Sequence, residues 1–269
     1  MRTTIRRLVI AIALFAGWVS PSVAASAPAP TQKISAHDAE ILPMVYAAMR
    51  SRVFIQKVAK DYLYAGNDIA TTEAQKEMKI ALKKFEAQQK ILSGAFTDPK
   101  TKNLLMFIQM NVDEIKSVLK KPYSLDNAQE VIDLAEAISE GEKKIAMELR
   151  KKLSKNYPTG KGQRYLINQI AKYYMAYQAG IKDQNTIRQM HKAVKRFDEL
   201  MKEMKAYPGN TVKMNQILNR MDKLWTIVKQ FYLDIEEGGL PLIVYQTTSK
   251  LDKEQVKYAK ELLKNLKKN

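Results

Sequence analysis

One pattern is written twice in this chain, 112 positions apart, and any fold must accommodate both copies. The first reads Arg52-Val53-Phe54-Ile55-Gln56-Lys57-Val58-Ala59-Lys60-Asp61-Tyr62. The second reads Arg164-Tyr165-Leu166-Ile167-Asn168-Gln169-Ile170-Ala171-Lys172-Tyr173-Tyr174. Arg, Ile, Ala, Lys and Tyr recur at matching offsets, with Asn168 answering Gln56. The register persists downstream. Ala81-Leu82-Lys83-Lys84-Phe85-Glu86 is answered by Ala193-Val194-Lys195-Arg196-Phe197-Asp198 at the same offset of 112. Val112-Asp113-Glu114-Ile115 is answered by Met221-Asp222-Lys223-Leu224 at an offset of 109, as a shortened inter-helix turn would produce. A fixed period of this length predicts a module of about a hundred residues present twice.

The start of the chain has the form of an export signal. Arg2, Arg6 and Arg7 precede an apolar run of 12 residues, Leu8 to Val19, and Val23-Ala24-Ala25 supplies small residues for cleavage. The run is short for a membrane span, although an uncleaved anchor is the alternative. Residues 1–25 are therefore expected to be a signal peptide and 26–34, with Ser26-Ala27-Pro28-Ala29-Pro30, a linker. The mature chain would be periplasmic or secreted, with no transmembrane span. It has no cysteine, so disulfides, thiolate metal sites and cysteine nucleophiles are excluded, and a buried core must hold it together. Removing the three signal arginines from the formal charge of +17 leaves +14. Lysines spread along every helix account for most of the excess. Outside the cytoplasm such a surface is a solvated mixed-charge face or an attraction for a membrane leaflet, a polymer or a small anion; nucleic acid is not an expected partner.

The hydrophobic pattern is helical almost throughout, with Pro and Gly mainly between periodic segments. Ser35 caps a first helix that runs to about Gly66. Thr72 with Gln75 forms a capping box for a second, ending near Gly94. Asp98 and Pro99 begin a third that ends before Pro122, and Ser124 begins a fourth with Val131, Ile138, Ile145, Leu149 and Leu153. Asn156-Tyr157-Pro158-Thr159-Gly160 marks a boundary. The second half repeats the plan. One helix carries the second motif, and another runs from Met190 to Met204 and stops at Tyr207-Pro208-Gly209-Asn210. A third carries Ile217, Leu218, Met221, Leu224, Trp225 and Val228 up to Gly238-Gly239-Leu240-Pro241. The last follows Ser249 with Leu251, Val256, Ala259, Leu262 and Leu266. The fold class expected is all-α: two tandem four-helix-bundle modules from an internal duplication, residues 35–156 and 157–269.

Within the first motif helix, Ile41, Val45, Ala48, Arg52, Ile55, Ala59 and Tyr62 follow one another at alternating spacings of four and three, the seam that a bundle buries. Phe54 and Val58 widen that apolar face. Arg164, Ile167, Ala171 and Tyr174 repeat the phase. Each seam arginine needs a carboxylate, backbone carbonyls or a bound anion, unless it reaches the rim along its own stem. Tyr62 and Tyr174 read as core residues with polar tips, and Lys60 and Lys172 as solvated.

The run Arg-x-x-Ile-Gln-Lys-Val-Ala-Lys resembles the Arg-Met-Leu-Ser-Gln-Arg-Met-Ala-Lys motif of the type IV pili methyl-accepting chemotaxis transducer N-terminal domain, the PilJ-type sensor domain. That motif is related to the P-box of nitrate/nitrite sensors of the NarX and NarQ type. The resemblance implies an all-α periplasmic sensor module whose leading arginine meets an anion at a helix-bundle interface. That role falls on Arg52 with Gln56 and on Arg164 with Asn168. Three features depart from the family. The Ala-Gly that often precedes the motif is Ala48-Met49 in one copy and Gly160-Lys161 in the other. Its second Arg is Lys57 and Gln169. Its transmembrane helices and cytoplasmic signalling region are absent, so the implied module binds a membrane-bound sensory or pilus-related partner, acts as a ligand carrier, or has lost sensing.

An enzyme needs placed acids, bases or nucleophiles. His37 and His191 are the only histidines, with no reason to converge, and no Glu-x-x-His pair, phosphate-cradling Gly loop or Gly-x-Ser-x-Gly is present. Met106/Met110 and Met201/Met204 have a spacing that suits copper(I), but such stripes are commonly core filler. The expected role is non-catalytic, with no cofactor and no metal: a sensory or ligand-binding helical protein for a small anion. The alternatives are a structural or scaffolding helical protein with no small-molecule ligand and, ranked lower, a haem or metal carrier.

Overall fold

Capping chemistry divides the chain much as the pattern predicts. In a computed structural model, which describes residues 34–94, 99–154 and 162–266, the Ser35 side chain accepts from the Asp38 amide at 3.0 Å and opens α1 (Ala36–Gly66). Next come α2 (Thr71–Ser93) and α3 (Pro99–Val118); Ser124 then caps α4 (Leu125–Lys151) by accepting from Asn127. The second half has α5 (Gln163–Gln178), α6 (Gln184–Lys205) capped by Asp183, and α7 (Val212–Leu233) capped by Thr211. A short 3₁₀ turn, Ile235–Glu237, leads to α8 (Pro241–Leu266). The expected signal peptide, nearly all of the linker, Asp98 and the Asn156–Gly160 boundary lie outside the described residues.

Three local expectations are corrected. Thr72 does not cap α2. The turn passes through Asp68 and Ala70 at positive φ, so the helix starts at Thr71 and Thr72 is already inside it. The last helix begins at Pro241, eight residues before Ser249. Proline suits a first helical position because its missing N–H has no intrahelical partner there, and Val244 and Tyr245 are then buried. The buried face of α8 is also rotated from the expected stripe: Ala259 is exposed and Val256 half-buried, while Leu251, Gln255 and Tyr258 are buried. Its inward face carries Thr247, Thr248, Glu254 and Gln255, so an apolar stripe gives the wrong phase.

The fold is all-α, and its contacts fall into two helical groups, α1–α4 and α5–α8. In the first, α1 lies on α2 and α4, and α3 on α4. In the second, α5 lies on α6 and α8, and α7 on α6 and α8. The groups meet where α1 packs on α5. Arg52 faces Tyr165, and Gln56 and Gln169 share one carboxylate, so these two helices run in the same direction. One continuous core joins both groups. Helix α1 is consequently buried on several sides, which accounts for Phe54 and Val58 lying inside together with the seam of Ile41, Val45, Ala48, Ile55, Ala59 and Tyr62. Among the described residues, no helix is long and apolar enough to cross a membrane.

Candidate ligand site between the two motif helices

The α1–α5 contact brings both motifs to one buried, polar interface, flanked by α4 and α8. The two motif lysines are inside it, contrary to the expectation that they are solvated: Lys60 is 1 % exposed and Lys172 fully buried. Their carbon stems lie in the helix contact and their ammonium groups find partners there. Lys172 crosses to Glu136 on α4, and the same Glu136 Oε1 accepts from Tyr173 Oη at 2.8 Å, Gln56 Nε2 at 3.2 Å and Gln169 Nε2 at 3.5 Å. Lys60 pairs with Asp61 at 2.9 Å and lies 4.8 Å from the Tyr245 ring on α8. Asp61 also takes Lys57 at 3.0 Å, which reaches Glu77 at 3.2 Å.

Burial disfavours the Glu136 charge, but Lys172, Tyr173 and Gln56 outweigh it and hold the carboxyl below the usual range. Burial also pulls Lys172 below the ordinary lysine range, with Glu136 opposing. The carboxylate's direction is the one that describes the pairing, because four donors converge on it; the fall at Lys172 reflects water lost around its ammonium.

The two seam arginines end differently. On α5, Arg164 gives its fork to Asp252 of α8, Nε to Oδ1 at 2.8 Å and Nη2 to Oδ2 at 2.9 Å. Asn168 donates to the Arg164 carbonyl at 2.8 Å and, more weakly, to Asp252 at 3.4 Å. Burial pushes Asp252 up, yet the bond and charge of Arg164, with Lys57 and Lys60, keep it below the usual range. This arginine already holds a planar, bidentate oxygen partner.

Arg52 does not. Its Nε donates to Ser139 Oγ on α4 at 3.3 Å, and its guanidinium lies 4.1 Å from the Tyr165 ring centroid, a stacked cation–π contact. Gln169 steadies that ring by donating to the Tyr165 hydroxyl at 2.8 Å. Among the described residues no carboxylate lies within ion-pair distance of Arg52. A second guanidinium is near: burial and the Arg52 charge both lower Arg150, and only the Tyr46 hydroxyl offsets them. A carboxylate also acts here: beyond burial, the Glu136 charge raises the Tyr165 hydroxyl more than the Arg52 charge lowers it, and Arg52 itself is half-buried. Gln56, beside it, is buried with its Oε1 unpartnered.

Of the four residues singled out from the sequence, Arg52 and Gln56 thus sit on α1, Arg164 and Asn168 on α5, all at this interface. Ser139, Glu136 and Asp252 on the facing helices, and Tyr165 within the second motif, were not singled out. Elsewhere the histidines stay apart, His37 at the Lys152 carbonyl and His191 exposed on α6. Met201 and Met204 are buried, whereas Met106 and Met110 are 63 % and 70 % exposed and not core filler. Set against known proteins, the chain matches no family model, no curated protein and no solved structure. The case for a ligand at this interface therefore rests on the residues themselves.

Proposed function

We propose that this chain is an exported, non-catalytic, PilJ-like sensory protein, built from a duplicated four-helix module, that binds a small planar anion at Arg52 and acts through a membrane-bound sensory or pilus-related partner. The observation that carries the ligand is an internal comparison. Arg52 donates through Nε to a residue 87 positions later, and Arg164 through Nε to a residue 88 positions later. The first acceptor is a serine and the second an aspartate. Where Arg164 holds a carboxylate, Arg52 holds a neutral hydroxyl under an aromatic lid. A carboxylate-shaped monoanion in the Arg52 fork would supply what Asp252 supplies in the other half.

The lysines support the duplication. Each motif lysine is buried with one carboxylate and one tyrosine, but the two have changed places. Lys60 has Asp61 next to it and Tyr245 across the interface, while Lys172 has Tyr173 next to it and Glu136 across. Asp61 and Tyr173 are 112 positions apart, the offset of the motif, whereas Glu136 and Tyr245 are 109 apart, one helical turn out of the register that sets Ser139 against Asp252, 113 apart. The exchange of Asp61 for Tyr173, at the motif's own offset, is what divergence of a duplicated site produces.

Scaffolding is favoured by the saturated Arg164–Asp252 pair, and it is the reading that remains if Arg52 binds nothing. Thermal unfolding with formate, acetate, nitrate and chloride separates the two. A planar anion at a hundredfold excess over its Kd is expected to add about 2.7 kcal/mol, roughly 5–10 °C in Tm for a chain of this size. Arg52→Ala should remove the anion response and keep the helical circular dichroism. A parent protein whose Tm ignores all four anions would sink the ligand reading. Export is checked by intact mass: a periplasmic product starting near Ser26 is expected, and retention of Met1 to Ala25 would contradict it.

A further inference from the structure

Glu142 is a buried carboxyl that the anion site does not use. It sits on α4 three residues after Ser139, so both face the same way, toward α1. Gln89 of α2 ties it in: its Nε2 donates to Glu142 Oε1 and to Ser51 Oγ, and Ser51 directly precedes Arg52. The other carboxyl oxygen, Oε2, is buried with no hydrogen-bond partner. Glu142 is fully buried. From α2 Gln89 and from α1 Ser51 hydrogen-bond to it, and from α1 the Arg52 charge acts on it at longer range. From α3, Leu104 and Ile108 pack on the neighbouring Gly141. On α5, Tyr165 lies beyond Arg52, its hydroxyl pushed above the ordinary tyrosine range by burial. Arg52 is the one charged side chain that acts on this carboxyl among the described residues.

We propose that Glu142 is a proton-operated competitor for the anion at Arg52. With its proton on, the carboxyl is neutral, Arg52 lacks an internal counter-charge and the anion binds. With its proton off, the Glu142 carboxylate neutralises Arg52 and the anion leaves. The inference rests on the Arg52 reading and adds its regulation. Burial, resisted by Gln89, Ser51 and Arg52, pushes Glu142 up to about 8, so the exchange lies just above neutrality. By reciprocity, a bound anion makes Glu142 harder to ionise.

The test titrates formate, a monoanion throughout pH 6 to 9, into the purified chain by calorimetry. Parent affinity should be flat below pH 7 and fall roughly tenfold from pH 7 to pH 9, following a single ionisation near 8. Glu142→Gln keeps the shape and the Gln89 contact without the charge, and its affinity should stay flat to pH 9. As a check independent of affinity, the Glu142 carboxyl ¹³C shift should titrate to higher pH when formate is present. An affinity that ignores pH, or a pH dependence that survives Glu142→Gln, overturns the proposal and leaves the Arg52 site standing. Failure of formate, acetate and nitrate to bind at any pH overturns both.

Discussion

Glu136→Gln is expected to cost about 3 kcal/mol of stability, although it removes only a charge. Lys172 is fully buried and Glu136 is its one ion-pair partner among the described residues. Breaking a buried pair from one side leaves the other charge stranded, at about 3–5 kcal/mol; the lower end applies because the Glu136 side chain keeps 32 % of its exposure. Urea unfolding should show a lower midpoint at unchanged slope. Lys172→Met should cost far less, since it removes the desolvated ammonium and leaves Glu136 with Tyr173 and Gln56 as donors. The two results together separate a stranded charge from lost packing. The acid limb carries the same sign. A carboxyl held below its unfolded value stabilises above that value and loses the contribution as pH falls through the folded one. Below about pH 4.5 the parent should therefore lose a component of stability that Glu136→Gln never had. A loss under about 1 kcal/mol at neutral pH would mean that Lys172 finds water in solution.

The helices were legible because their information is local: caps at Ser35 and Ser124, breaks at Gly94 and Pro122, and seams at four-three spacing. Apart from two helix starts, at the positive-φ turn through Asp68 and Ala70 and at Pro241, the errors occurred where burial is polar. The inward face of α8 carries Thr247, Thr248, Glu254 and Gln255, so its apolar residues alone pointed the wrong way. Lys60 and Lys172 look like surface lysines because a buried ammonium is recognised only by its partner, and Glu136 is a long-range contact on another helix. The side-by-side docking of the motif helices left no local signal either. Glu142 was within reach. Val131, Ala135, Ile138, Glu142, Ile145 and Leu149 keep the four-three alternation, so the seam argument applied to Arg52 also placed an acid in the core.

Asp252→Ser is expected to do in the second half what Ser139 does in the first. Without an anion it should destabilise the chain by about 2–4 kcal/mol. The Arg164 fork loses both carboxylate bonds, though its side chain keeps 30 % of its exposure and water relieves part of the loss. Formate should then recover part of the lost Tm, and calorimetry should count two sites where the parent has one. Ser139→Asp is the mirror experiment. It sets a carboxylate beside the Arg52 Nε, where the Ser139 hydroxyl stands at 3.3 Å, and should abolish the formate response without unfolding the protein. Lysine at position 52 should respond only weakly, because an ammonium gives a point charge without the fork. Loss of stability in Asp252→Ser with no recovery by any of the anions would make Arg164 a structural arginine only. If Ser139→Asp also left the parent's anion response intact, the ligand would not be sitting where the aspartate sits in the other half, and the equivalence of the two arginines would fail with it.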